Sequence, residues 1–165
     1  MRGRRTDGWF YGFWAVTTDT DARYEAASEF QKLALFGGDL WRPPTWEDTP
    51  SPNFTWAYLA RWGGHPGTYP EVRIPIRRWV SDVSGRANAI VHFDLADSAG
   101  DGTRAILIVD GVTVFSRDVV PGDAAGFTEP VAIDVHVGST VDVLLDPKAN
   151  DGADTSTAWM NIESR

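Results

Sequence analysis

Polar and apolar residues alternate with a period of two along several short runs in the second half of the chain. Ala89, Val91, Phe93 and Leu95 interleave with His92 and Asp94, and Val131, Ile133, Val135 and Val137 interleave with Ala132, Asp134 and His136. Such alternation marks strands with one buried face. Strands are expected over residues 72–79, 87–95, 104–109, 112–119, 130–137, 140–146 and 157–162. Pro75 lacks a donor for a strand ladder, so the first of these is expected at a sheet edge or a bulge. Asp110-Gly111 is the dipeptide of a two-residue type I′ turn and predicts a hairpin. Gly138-Ser139 is read as the turn of a second hairpin. The stretches 97–103, 121–127 and 146–156 are rich in turn formers and read as loops. About seven short strands separated by turn signals, with no βαβ rhythm, predict an all-β, antiparallel β-sandwich of jelly-roll type.

The first half is less regular. Residues 8–16 fit a strand, and 30–36 a strand or one helical turn. Residues 21–29 (DARYEAASE) are the only helix-compatible stretch. Residues 41–53 carry Pro43, Pro44, Pro50 and Pro52 and read as extended loop. No Ser/Gly-rich linker divides the halves, so residues 8–165 are expected to form one domain behind a tail of residues 1–7. That tail is basic, but no signal-peptide apolar region follows it. The reading preferred is a piece of a longer, secreted bacterial protein.

Composition narrows the functional classes. The chain has 165 residues, 42% of them hydrophobic, which is too apolar for a disordered segment. The formal net charge is -8, which argues against nucleic acid and against anionic membrane surfaces as partners. No apolar run approaches the roughly 20 residues that span a bilayer. There is no Cys, so disulfides, thiolate metal sites and thiol nucleophiles are excluded. Of the eight Trp, all but Trp159 lie at or before residue 79.

Several segments occur in an order that resembles bacterial carbohydrate-binding-module-like β-sandwich domains, which are appended to secreted polysaccharide-degrading and cell-surface proteins. They are Gly8-Trp9-Phe10-Tyr11-Gly12, His65-Pro66, Arg77-Arg78-Trp79, Asp101-Gly102-Thr103-Arg104, Ile108-Val109-Asp110-Gly111, Gly138-Ser139-Thr140-Val141-Asp142 and Asn150-Asp151-Gly152-Ala153-Asp154. The resemblance implies a non-catalytic module that binds glycan through aromatic residues and often holds a structural Ca²⁺. It also implies a parent catalytic domain in a longer extracellular chain.

The residues can be weighed on their own chemistry. Trp and Tyr offer flat, amphipathic faces for sugar rings at small entropic cost. Trp41 and Trp46 lie in Pro-rich sequence beside Asp48, a poor context for core residues, and are candidate platforms. Trp56, Trp62 and Tyr69 are further candidates, whereas Trp9, Phe10, Phe13, Trp14 and Trp79 read as core. Arg73 and Arg77 share one strand face. They form either a solvated ion-pair surface or a clamp for the carboxylate of an acidic sugar. The net charge disfavours strongly anionic polysaccharides unless a positive patch is local. His65, in a Gly-rich loop, is a candidate polar contact, whereas His92 and His136 read as solvent-facing strand residues. Asp146, Asn150, Asp151 and Asp154 supply hard oxygen donors suited to Ca²⁺, though not at EF-hand spacing. Asp97, Asp101 and Asp110 form a second acidic set.

Catalytic motifs are sparse: no nucleophile elbow and no phosphate-binding glycine loop is present. A small lyase using Arg77 or Arg78 with His65 and Tyr69 is the weakest reading. A structural or protein-interaction domain of a surface or virion assembly is the main alternative to glycan binding.

Overall fold

A computed structural model describes residues 8–43 and 57–164. It is all-β, with two antiparallel sheets stacked as a sandwich and one 3-10 turn at Val16–Thr18. The first sheet has the order β10-β9-β12-β7-β1-β2, formed by Val112–Val119, Thr103–Val109, Thr140–Asp146, Arg73–Val80, Trp9–Ala15 and Gln31–Lys32. The second has the order β11-β8-β13-β6-β5-β4-β3, formed by Phe127–Val135, Gly85–Asp94, Ser156–Ser164, Gly63–His65, Tyr58–Ala60, Leu40–Arg42 and Leu35–Gly37.

The alternating strands place their apolar positions between the sheets. Ala89, Val91 and Phe93 of β8 meet Leu107 of β9 and Val141, Val143 and Leu145 of β12 in the main core. At about 25 cal/mol per Å² of apolar surface, this burial is the dominant stabilising term. The β9–β10 hairpin turns at Asp110 (φ 48) and Gly111 (φ 81), the two left-handed positions of a type I′ turn.

Three expectations need correcting. The strand containing Pro75 is not an edge: β7 lies between β1 and β12. Pairing with β12 ends at Ile76, so Pro75 faces β1 alone and no ladder bond is lost on the β12 side. The second expected hairpin is also absent. β11 pairs with β8, whereas β12 pairs with β9 and β7, so the chain crosses from one sheet to the other at Gly138-Ser139. A turn signal shows that a strand ends but not which sheet the next one joins.

The third correction concerns residues 21–29, which make turns and no helix. Ala22 is left-handed (φ 56), and one helical turn closes where the Ser28 and Glu29 amides donate to the Glu25 carbonyl. The segment instead covers the outer face of the first sheet. Tyr24, Phe30 and Val16 pack on a second cluster made by Trp14, Ile74, Ile76, Ile108 and Leu144. β7 is therefore buried on both faces, and this explains its burial from Ile74 through Trp79.

That double burial fixes the arginines. Arg78 points outward into an ion pair with the fully buried Asp142, donating from Nε to Oδ1 and from Nη2 to Oδ2, both at 2.7 Å. Nη2 also donates to the Tyr24 hydroxyl and to the Ala26 carbonyl, at 2.7 Å each. Tyr24 in turn donates to Asp142 Oδ2 at 2.9 Å, and the guanidinium lies 4.0 Å from the Phe30 ring centroid. Burial and the Asp142 charge push the Tyr24 hydroxyl far above its ordinary range.

Candidate functional site

β6 pairs with β13 only at Ser156 and Thr157, whereas β8 follows β13 from Thr157 to Ser164. Among the described residues, the other edge of β13 has no neighbouring strand beyond this point. A groove of about 440 Å³ opens there between the sheets. Its walls are Trp9 and Tyr11 of β1, Trp62 and Arg61 of the β5–β6 turn, and Trp159, Met160 and Asn161 of β13. Arg77 of β7 lies on its floor.

Trp62 is 59% exposed and the Arg61 guanidinium stacks over its ring at 4.8 Å. Trp159 is held flat against His92, with centroids 5.0 Å apart and planes 15° from parallel. His92 is itself fixed by Thr128 Oγ1 at 2.8 Å and Asp94 Oδ2 at 3.1 Å. It is thus a half-buried support for a groove residue rather than a solvent-facing histidine. Trp9 and Asn161 also line an adjoining depression of about 480 Å³ that runs past Trp79 to Val83 and Arg86. A further depression, lined by Asp39 and Asp94, lies across the Arg61–Trp62 ridge.

Arg77 is buried, at 5% exposure, and the described residues offer it no carboxylate. Nε donates to the Ala158 carbonyl at 3.1 Å and Nη2 to the Gly63 carbonyl at 2.9 Å and the Ala60 carbonyl. The Tyr11 ring is 5.5 Å away. Burial lowers its pKa to about 10, opposed by Tyr11. It is not part of a solvated ion-pair surface.

The other expected ligand residues are dispersed. Trp41 is half-buried, stacked on Tyr11 with centroids 5.2 Å apart and planes 12° from parallel, and packed against Phe36. It backs the groove residue Tyr11. Tyr69 is exposed on the β6–β7 connection, and Arg73 pairs with Glu71 at 2.8 Å while lying over the Phe13 ring. His65 bonds the Pro66 carbonyl and stacks on Tyr58, and burial lowers its pKa. Trp46, Asp48 and Trp56 lie outside the described residues. Of the expected ligand residues that are described, the groove collects Trp62 and Arg77. The signal for Trp159 is its alternation: Ala158 and Met160 face the core, so Trp159 and Asn161 face outward.

The acidic loop after β12 meets the loop after β8. Asp101 accepts from the Ala149 amide at 3.1 Å and from Asn150 Nδ2 at 2.7 Å. Asp151 accepts from the Thr68 amide at 2.9 Å and from its hydroxyl at 2.6 Å, and Asp146 accepts from the Lys148 amide at 2.8 Å. Asp101 thus joins the first acidic set, while Asp110 sits at the opposite end of β9, bonded to Ser139 and Thr140. Among the described residues, no three carboxylate or imidazole side chains converge as metal ligands.

Asp154 is the exception to this satisfied network. It is fully buried, and neither carboxylate oxygen has a partner. Burial first, then the Asp101 and Asp151 charges, raise its pKa to about 7. Gly100 approaches so closely that an added Cβ would collide with the Gly152 carbonyl and lie 3.7 Å from Asp154 Oδ1. An orphaned buried carboxylate with a backbone carbonyl nearby fits a hard cation in donor type.

No family model and no curated protein sequence matches the chain. Among solved structures it is similar to a Clostridium perfringens CBM51 in complex with methyl-galactose. The identity is 10%, over 67% of this chain and 81% of the other, at a TM-score of 0.44. A second example is the C. perfringens CBM51-2 in complex with GlcNAc, at 18% identity over 64% of this chain and 23% of the other, TM-score 0.41. A third is a CBM36 in complex with calcium and xylotriose, at 15% identity over 64% and 89%, TM-score 0.30. The assignment of the sandwich itself rests on the strand pairing above.

Proposed function

We propose that the protein is a non-catalytic glycan-binding module whose ligand lies in the groove along β13. The observation that carries this reading is the convergence of Trp9, Trp62, Trp159 and Tyr11 on one open groove, with Asn161 and Arg61 as polar rim. Aromatic walls take the C–H faces of sugar rings, and a few fixed donors orient hydroxyls. Glycoside hydrolysis uses two carboxylates across the bond, and the described groove lining contains none. His65 and Tyr69, the partners a lyase would need beside Arg77, do not line it. A titration of intrinsic Trp fluorescence against soluble neutral and acidic polysaccharides tests the reading. A saturable shift with one glycan class supports it. No shift with any glycan, together with an oligomer that covers Trp62, transfers the groove to a protein partner.

The same reading places a structural Ca²⁺ at Asp154, whose unpartnered oxygens support it. Backbone oxygens would complete the shell, and the bound ion would brace the loops after β8 and β12. In chelator the folded protein holds the Asp154 proton up to pH about 7, while the unfolded chain releases it near 3.8. Between those values the native state binds the extra proton, so stability falls as pH rises. At pH 8, Ca²⁺ is therefore expected to raise Tm in the wild type and not in Asp154→Asn. In chelator at the same pH, Asp154→Asn is expected to melt higher than wild type, because a buried amide costs less than a buried charge. Scanning calorimetry with Ca²⁺ and with chelator checks both, and an unchanged wild-type Tm on adding Ca²⁺ to stripped protein counts against the ion.

A further inference from the structure

The protein carries a net charge of -8, yet the groove is cationic. Its described lining holds Arg61 and Arg77 and no Asp or Glu. Arg61 is exposed at the groove rim, and its guanidinium lies over the Trp62 ring. Arg77 is a buried guanidinium whose bonded partners are neutral backbone carbonyls. The bonds from Nε and Nη2 to neutral carbonyls do not neutralise its charge, and an uncompensated charge in a low-dielectric site attracts an anion strongly. The depressed pKa of Arg77 agrees with that uncompensated burial. Of the acidic groups around it, Asp39 and Asp94 line the depression across the Arg61–Trp62 ridge, where Asp94 is paired with His92, and the exposed Glu163 accepts from the groove residue Asn161 at 3.4 Å.

Resting on the glycan-binding reading above, we propose that the groove selects acidic sugars, with the carboxylate of a uronic acid unit held by Arg61 above Arg77 while the sugar ring stacks on Trp62. The planar fork of Arg matches a carboxylate, and the stack on Trp62 preorganises it. The groove is thus a local positive site on an acidic protein, the exception that the net-charge argument allows.

The test compares polygalacturonate, alginate and hyaluronate, each with its carboxyl-reduced counterpart, by Trp fluorescence titration of the wild type, Arg61→Gln and Arg61→Lys. At low salt at least one uronate is expected to bind roughly tenfold more tightly than its reduced form, and the preference shrinks as salt screens the pair. Arg61→Gln is expected to weaken binding of the uronate far more than binding of its reduced form, so that the ratio between the two falls toward one, and Arg61→Lys to retain part of the preference. Equal binding of each uronate and its reduced form overturns the inference and leaves the glycan reading standing. Tighter binding of dextran sulfate than of any uronate also overturns it, assigning the cationic floor to sulfate esters. Failure of every charged and neutral glycan overturns both readings.

Discussion

Replacing Trp62 by alanine is expected to abolish most glycan binding while leaving the fold intact. Trp62 is the most exposed aromatic residue of the groove, and its ring supplies both a stacking face and the seat of Arg61. Truncating a central aromatic anchor typically costs about 2 kcal/mol or more, a factor of roughly 30 in Kd. An exposed side chain off the core changes stability by only about 0.5 kcal/mol. The expected pattern is thus a lost fluorescence titration at nearly unchanged Tm. Trp41→Ala is the informative control. Trp41 touches Tyr11 and Phe36 rather than lining the groove, so its loss should lower Tm more than it lowers affinity. The reverse pattern, with Trp41 controlling binding and Trp62 irrelevant, would relocate the site.

Asp142→Ala is expected to be among the most destabilising single substitutions. Asp142 is wholly buried and accepts two bonds from Arg78 and one from Tyr24. Without it, Arg78 keeps only the Tyr24 hydroxyl and the Ala26 carbonyl, and its charge is left buried and unpaired. Breaking such a pair from one side costs about 3–5 kcal/mol. At about 2–4 °C per kcal/mol for a chain of this size, Tm should fall by roughly 6–20 °C. Tyr24→Phe removes one member of the network and should cost nearer about 1 kcal/mol. Thermal melts of the two variants check the order. A fall in Asp142→Ala no larger than in Tyr24→Phe would mean that the segment over the first sheet is held by packing of Phe30 and Val16 alone.

The parts of this fold that were legible in the sequence are those where one rule dominates locally. β8 and β11 alternate because each has one face in the core and one in water, and Asp110-Gly111 carries its turn type in its own backbone preference. The expectations failed where the outcome depends on distant segments. Residues 21–29 look helical in isolation, but their apolar members Tyr24 and Ala26 are spaced to cover a sheet. Arg77 and Arg78 look like surface charge, because nothing local announces that β7 has a neighbour on each side and cover on both faces. Trp9 packs against the main core as its strand context suggests, and it also lines the groove left open beside β13. Asp101 sits nearly 50 residues from Asn150, and only the meeting of two loops at one end of the sandwich brings them together. The candidate site was therefore legible only in part: Trp62 and Arg77 could be named, while Trp9, Arg61, Trp159 and Asn161 depend on β6 beginning only at Gly63.

The most direct test of the account is to follow the indole N–H signals of the eight tryptophans by NMR while adding an oligosaccharide that produces a fluorescence shift. The account predicts that the signals of Trp9, Trp62 and Trp159 move together and saturate at one Kd, while that of Trp14, sealed beneath Tyr24 on the outer face of the first sheet, stays in place. Saturable shifts confined to other tryptophans would contradict the placement of the ligand in the groove.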